Sequence, residues 1–249
     1  MLARKKFKKL LTGTLGKKNF GYCPICKSST IYIEFDTWLR DHYQCVKCKS
    51  IPRQRSLVNA LNLFYPDWPN LVVHESSPSF RMFTFFKKEC KSYTASQFFE
   101  DITIGEYKGE FICEDLTNLT FENDSIDIII TQDVFEHVLF PFKAFREIAR
   151  VLKPGGVHIF TMPWYGNLIK SKARVKQVNN EMIYLEPPVY HGNPVDKKGS
   201  LVTYDWGLDF TDLIFEQSKL FTTIYLEKNR KFGLDAKFLE VFISRKLKV

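Results

Sequence analysis

Four consecutive stretches decide the fold: SIDIIITQDVFEHV (125–138), LFPFKAFREIARVL (139–152), KPGG (153–156) and VHIFTMP (157–163). Ile126–Thr131 is a short β-branched apolar run that ends at polar Gln132 and Asp133, the pattern of a buried strand. Apolar residues then recur at Phe142, Phe145, Ile148 and Leu152, the spacing of one helix face. Pro154-Gly155-Gly156 is predicted to stop that helix in a turn. Val157–Met162 reads as a second strand, closed by Pro163. Strand, helix and strand together suit a right-handed crossover between parallel strands. Ligands of an open parallel sheet bind beyond the carboxyl ends of its strands. That rim is where Gln132, Asp133, Val134, Phe135, Glu136 and His137 fall.

The hydrophobic strand, the EHV and the RVLKPGG at these separations closely resemble the central half of class I S-adenosylmethionine-dependent methyltransferases, of the type 11 subgroup. KPGG alone fits any helix-to-strand turn; the three elements together are far more specific. The resemblance implies an α/β protein with a Rossmann-like, seven-stranded, mostly parallel sheet, helices on both faces and a terminal antiparallel strand pair. Another parallel α/β domain with a similar turn is the competing reading.

At 249 residues the chain has room for one such domain and a small module. Hydrophobic residues make up 45% and charged residues 26%, ordinary for a globular protein, and no apolar run reaches the length of a membrane span. The basic N-terminus lacks the apolar core of a secretory signal, so a cytoplasmic location is expected. Of the net charge of +8, Arg4, Lys5, Lys6, Lys8, Lys9, Lys17 and Lys18 contribute +7, which leaves +1 for the rest. Residues 1–20 therefore form a basic tail, either a salt-sensitive contact for nucleic acid and other polyanions or a solvated segment.

Residues 21–52 carry two CxxC knuckles, Cys23/Cys26 and Cys45/Cys48. Two such pairs fit a four-thiolate zinc ribbon, because each knuckle presents two sulfurs and two knuckles complete a tetrahedron. That shell has no open position, so the ion is expected to be structural; disulfides or reduced thiols are the alternative. His42 is a spare donor. Ser29–Phe35 is predicted as a strand and Trp38–Gln44 as the returning arm of its hairpin. Cys90 and Cys113, each alone in an apolar setting, read as core thiols.

The methyltransferase domain is expected over 53–249. It opens with a helix over 56–65, with Leu57, Leu61 and Phe64 inward, preceded by Arg53 and Arg55, which either reach an acidic ligand or pair locally. The first strand reads Leu71-Val72-Val73-His74-Glu75-Ser76-Ser77-Pro78-Ser79. The resembled family has a glycine-rich turn here that receives the carboxylate end of the cofactor. This chain has Ser76, Ser77, Pro78 and Ser79 instead, which either still cradle the cofactor or mark a decayed site. By the same resemblance, Glu75 pairs with the cofactor's amino group or else caps the turn. Ser96 and Gln97, ending the second strand, stand where an acid usually holds the ribose hydroxyls. Asp115, rather than Glu114, would accept from the adenine amino group, with Leu116 on the ring face. Gln132 and Asp133 would line the cleft, with Val134 and Phe135 facing the methionine or the acceptor. His137 is either a general base or a residue that bonds backbone.

Residues 163–207 form an insertion that reads as a cover over the site. Tyr190, His191 and Asp205 are its candidate acceptor-side residues, or else turn residues packing that cover. A final helix is expected over 208–218 with Leu208, Leu213 and Phe215 inward, then strands over 221–226 and 238–243. The overall expectation is methyl transfer to a small-molecule, sugar or glycan acceptor. An RNA acceptor and a non-catalytic binding protein with a degenerate cofactor site are the alternatives.

Overall fold

The computed structural model describes residues 16–192 and 198–248; the basic tail lies almost wholly outside them. The chain divides into two compact units, Met1–Val58 with Glu227–Leu239, and Asn59–Leu226 with Glu240–Val249. No helix among the described residues is long and apolar enough to cross a membrane.

The first unit holds an antiparallel sheet of β1 (Lys18–Cys23), β2 (Ser28–Glu34) and β3 (Tyr43–Cys45). The expected returning arm over Trp38–Gln44 is mostly a helical turn, α1 (Leu39–His42), and only its last residues join the sheet. Local side-chain bonding explains this: the Trp38 indole N–H donates to the Asp41 carboxylate at 2.9 Å and Asp36 accepts from the Thr37 hydroxyl at 3.1 Å. Tyr32 and Tyr43 are fully buried, their rings 5.4 Å apart. Arg55 is equally buried, 4.6 Å over the Tyr32 ring, and donates to the carbonyls of Ser50, Tyr43 and Gly233. It also donates to the Ser50 hydroxyl at 3.2 Å, so backbone carbonyls, one hydroxyl and aromatic rings hold it, and it is a structural arginine. Gly233 takes a left-handed φ of +67°, and a Cβ there would lie 2.6 Å from the Tyr32 ring. Helix α2 (Pro52–Phe64) spans the division between the units. It buries Leu57 and Leu61 as expected but leaves Phe64 exposed.

The second unit is built on β4 (Val72–Ser76), α3 (Phe80–Glu89), β5 (Ser92–Gln97), β6 (Tyr107–Lys108), β7 (Phe111–Cys113), β8 (Ile126–Gln132), α4 (Pro141–Val151) and β9 (Leu152–Thr161). An insertion follows, of β10 (Lys172–Ala173), β11 (Val175–Val178), β12 (Glu181–Tyr184), β13 (Tyr190–His191), β14 (Ser200–Leu201) and β15 (Tyr204–Asp205). These strands pair only among themselves, β10 with β15, β11 with β12 and β13 with β14. The unit ends with α5 (Phe210–Ser218), β16 (Leu220–Tyr225) and β17 (Val241–Lys246).

The main sheet has eight strands in the order β16-β17-β9-β8-β4-β5-β7-β6. The strands from β9 to β7 are parallel, and β16, β17 and the two-residue β6 run against their neighbours. The fold is the mostly parallel, Rossmann-like sheet with helices, and β6 is the one strand beyond the expected seven.

Helix α4 buries Ala144, Phe145, Ile148 and Val151, and Phe145 stacks on Phe135 with ring centroids 4.1 Å apart. Phe135 is thus a core residue and does not face a ligand. The KPGG segment corrects another expectation. It does not form a turn after α4 but lies within β9, where the ladder to β8 breaks between Ile126 and Ile128. Backbone approach demands glycine there: a Cβ on Gly156 would sit 3.0 Å from the Asp127 carbonyl oxygen. In α5 the inward residues are Phe210 and Ile214, whereas Leu208 and Phe215 are exposed. The final strand starts at Val241, three residues later than expected, because Phe238 takes a left-handed φ of 54°. Cys90 and Cys113 are buried free thiols.

Candidate functional site

The sheet order reverses direction at β4: chain order proceeds through β5 and β7 on one side and through β8 and β9 on the other. Such a switch point leaves a crevice beyond the strand ends, where helices diverge to opposite faces. The residues that end β4, β5, β7 and β8 are Ser76, Gln97, Cys113 and Gln132.

Glu75 spans this point. Its carboxylate is wholly buried, with Oε1 accepting from Gln132 Nε2 at 3.0 Å and Oε2 from the Tyr93 hydroxyl at 2.8 Å. Burial pushes the carboxyl up to about 8, although both bonds act to lower it. At neutral pH the group therefore tends to hold its proton, and a positive charge brought beside it would favour the ionised form. Tyr93 has no motif of its own; only its place two residues before Ala95, which is in register with Glu75, brings it to the carboxylate.

The serine turn is strained where a glycine would not be. Ser77 takes φ 55°, with its N–H donating to the Ser96 carbonyl at 2.8 Å. Ser79 then caps α3, its hydroxyl accepting from Met82 N at 3.4 Å. Ser76 is buried at the strand end. Ser96 is fully buried and its hydroxyl meets His74 Nε2 at 3.0 Å, whereas Gln97 is half-buried at the end of β5.

Asp115 and Glu114 divide in the same way. Glu114 is buried and held by Thr120, whose N–H donates at 3.0 Å and whose hydroxyl also donates. Asp115 is half-buried and uses Oδ1 on Thr117 N at 2.8 Å. Leu116 beside it belongs to the main core cluster. Asp133 takes φ 54° and is turned toward β9: Thr161 Oγ1 donates to its Oδ1 at 3.0 Å and its own N–H donates to the Thr161 carbonyl at 2.8 Å. Val134 is partly buried against the core. Glu75, Gln97, Asp115 and Gln132 each bring a side-chain oxygen to the strand ends. Those oxygens fit a ligand carrying an ammonium, ribose hydroxyls and an exocyclic amine.

His137 follows on the same side. Its Nδ1 bonds the Leu201 carbonyl at 2.8 Å, which makes Nδ1 the donor and Nε2 the lone-pair atom. Burial moves this imidazole below the usual histidine range. His191 lies edge to face with it, ring centroids 5.0 Å apart. Tyr190, next to His191 on β13, is more than half exposed, and Asp205 is engaged by Arg174 at 2.8 Å. His74 and His158 stand apart. Both are buried in the sheet on hydroxyls, Thr94 and Ser96 for the first and Thr131 for the second, and burial pushes each down to about 3.

In the first unit, Cys23, Cys26, Cys45 and Cys48 converge. Cys23 Sγ lies 3.7 Å from Cys48 Sγ, and Cys26 Sγ 3.9 Å from Cys45 Sγ. A disulfide would bring sulfurs to about 2.05 Å. A tetrahedron with metal–sulfur bonds of about 2.3 Å has edges of about 3.8 Å, which is what the thiols make. Hydroxyls surround them: Ser28 on Cys26, Thr30 on Cys45, and Ser50 on both Cys23 and Cys48. His42 is not among the converging donors.

The chain is 36% identical over 62 residues to an uncharacterized methyltransferase of Mycolicibacterium vanbaalenii, covering 24% of each protein. It is 34% identical over 71 residues to the biotin biosynthesis bifunctional protein BioHC of Cellvibrio japonicus, covering 28% of this chain and 14% of that one. The matches thus span a quarter or less of these curated relatives. Among solved structures, an S-adenosylmethionine dependent methyltransferase from Mesorhizobium loti aligns with a TM-score of 0.49 at 13% identity, covering 77% of this chain and 97% of that one. Residues 80–160, from the start of α3 almost to the end of β9, match the family described as a methyltransferase domain.

Proposed function

We propose that the chain transfers a methyl group from S-adenosylmethionine to a small-molecule, sugar or glycan acceptor, and carries a structural zinc ion on Cys23, Cys26, Cys45 and Cys48. The observation that carries the first statement is Glu75: a buried carboxylate at the switch point, poised between Tyr93 and Gln132, is an unfavourable thing to build unless a cation comes to it. When bound, the cofactor supplies a methyl already activated by the positive sulfonium. Glu75 would receive the ammonium, Gln97 the ribose hydroxyls and Asp115 the adenine amine, with Leu116 beneath the ring. Ser76 and Ser77 would line the carboxylate end in place of glycine. The protein's part is chiefly alignment of donor and acceptor. His137, His191 and Tyr190 would form the acceptor side, where imidazole and phenol suit hydroxyl-bearing partners.

Zinc on the four cysteines is supported by the sulfur spacing and the hydroxyl shell, and a closed thiolate set leaves no position for chemistry. An RNA acceptor is a second reading, supported by the +7 charge of residues 1–18.

Calorimetric titration of the full chain with S-adenosylmethionine tests the reading. One site per chain is expected, weakened at least about tenfold, roughly 1.4 kcal/mol, by Asp115→Ala. Absence of heat at millimolar cofactor would overturn it. Mass shifts in glycans or small molecules, against shifts in extracted RNA, then separate the acceptor classes.

A further inference from the structure

A second group of metal-ligand side chains lies outside the cysteine cluster. Glu136, His137 and His191 bring one carboxylate oxygen and two imidazole nitrogens within 4.8 Å of one another. Glu136 Oε1 is 3.8 Å from His137 Nε2 and 3.8 Å from His191 Nδ1. These separations are too long for hydrogen bonds and close to the edge of a coordination polyhedron, about 3.4 Å for bonds of 2.0–2.1 Å in a tetrahedron.

The support around the group is that of a built site. His137 Nδ1 donates to the Leu201 carbonyl at 2.8 Å, which fixes the ring and turns Nε2 toward Glu136. The Glu136 backbone carbonyl accepts from Thr203 N at 2.7 Å and from the Thr203 hydroxyl at 3.2 Å. His191 is carried by β13, whose partner β14 contains Leu201 itself; His191 is in register with Ser200 and Tyr190 with Leu201. One short run, Ser200–Thr203, therefore sets the positions of all three donors. The Glu136 side chain is only 2% exposed, while those of His137 and His191 are 18% and 39% exposed, so the group is closed on the protein side and open on the other. The Nε2 lone pair of His137 and the Glu136 carboxylate face each other at 3.8 Å, and a cation between them would bond both.

We infer that Glu136, His137 and His191 bind a divalent transition-metal ion of the zinc or cobalt class, with at least one coordination position open to solvent. Two imidazoles and a carboxylate suit such ions better than magnesium or calcium, and three protein ligands leave the fourth place free. The ion would sit just beyond the end of β8, on the acceptor side. Its use there, holding an oxygen of the acceptor, rests on the methyl-transfer reading; the binding of the ion does not.

The test uses full-length protein stripped of metal, then dialysed against zinc and assayed by mass spectrometry for metal per chain. The wild type is expected to hold one equivalent more than His191→Ala and than Glu136→Gln. His191 stands on an exposed two-residue strand, so the first variant should keep its circular dichroism. Cobalt loaded at this site should give visible bands without thiolate charge transfer, and the same bands should vanish in His191→Ala. Equal stoichiometry in wild type and both folded variants would overturn the inference, as would cobalt spectra showing thiolate ligands alone. Neither readout depends on S-adenosylmethionine, so a failure of methyl transfer leaves this result standing and the reverse holds too.

Discussion

The cysteine cluster and the rim around Glu75 are two ways of making a site. The cluster draws its four donors from two short knuckles, and its geometry is set by local turns: Lys27 and Lys49 both take left-handed φ, just after Cys26 and Cys48. The rim draws its groups from strand ends spread from Glu75 to Gln132, and no local rule brings them together. Sheet register does so. The contrast teaches that a site built from two local knuckles can be spelled in spacing, whereas a site held by a sheet is only as good as the core beneath it.

The contrast can be broken most forcefully at the cluster. Structural zinc contributes about 10–16 kcal/mol of apparent binding free energy in small modules that have little core. Cys45→Ser should therefore abolish amide protection across β1, β2 and β3 while β8 and β9 keep theirs, as hydrogen exchange would report. Persistence of protection in β2 would mean that Tyr32, Tyr43 and Arg55 hold the unit without metal.

The rim should respond instead to its core. Phe135→Ala removes a fully buried ring stacked on Phe145, and should cost about 3–5 kcal/mol in denaturant unfolding. The cysteine knuckles should be unaffected in metal content.

A smaller effect sharpens the electrostatic side. Glu75 is raised in the fold to about 8 from an ordinary 4.5. A raised carboxyl favours the folded state below 4.5, and that contribution is lost as pH rises through 8. Cofactor binding has the opposite sense, because a cation needs the ionised form. Affinity should climb by up to about tenfold per pH unit between about 6 and 8 and then level off, with a proton released on binding. Glu75→Gln should flatten this profile; a flat wild-type profile would mean that the cation binds elsewhere.

The smallest change concerns the serine turn. Ser77→Gly relieves a left-handed residue at the expense of chain entropy, for a net gain of about 0.5–1 kcal/mol in thermal unfolding. Ser77→Val should lose stability instead.

Much of this architecture was legible in residue order, and the reasons are physical. The run Ile126–Thr131 and the helix face of Phe145 and Ile148 report burial directly, since periodicity is what burial writes into a sequence. The KPGG segment has the composition of a helix stop, because Pro and Gly usually end helices. In the fold they serve a bulge in β9, a role set by the neighbouring carbonyls of β8 that no local pattern reveals. Phe135 looked like a ligand contact from its place after a strand end, but the ring turns back onto α4. Phe215 and Leu208 fell on a plausible helix face and proved exposed, because Phe210 and Ile214 reached the core first. Tyr93, Thr161 and Thr203 carried no signal at all. Each matters through a partner far along the chain, and such pairings exist only once register does.

The first unit is made of two separate pieces of chain. Glu227–Leu239, the link between β16 and β17, supplies Gly233, whose carbonyl receives Arg55 and whose bare Cα lets Tyr32 lie close. A truncation that begins after Val58 would thus strip this loop of its companions, and a graft of the amino-terminal portion alone would leave a buried guanidinium short of an acceptor. Anyone who cuts or transplants this protein should treat the cysteine-bearing sheet as clasped by a distant loop, and move both or neither.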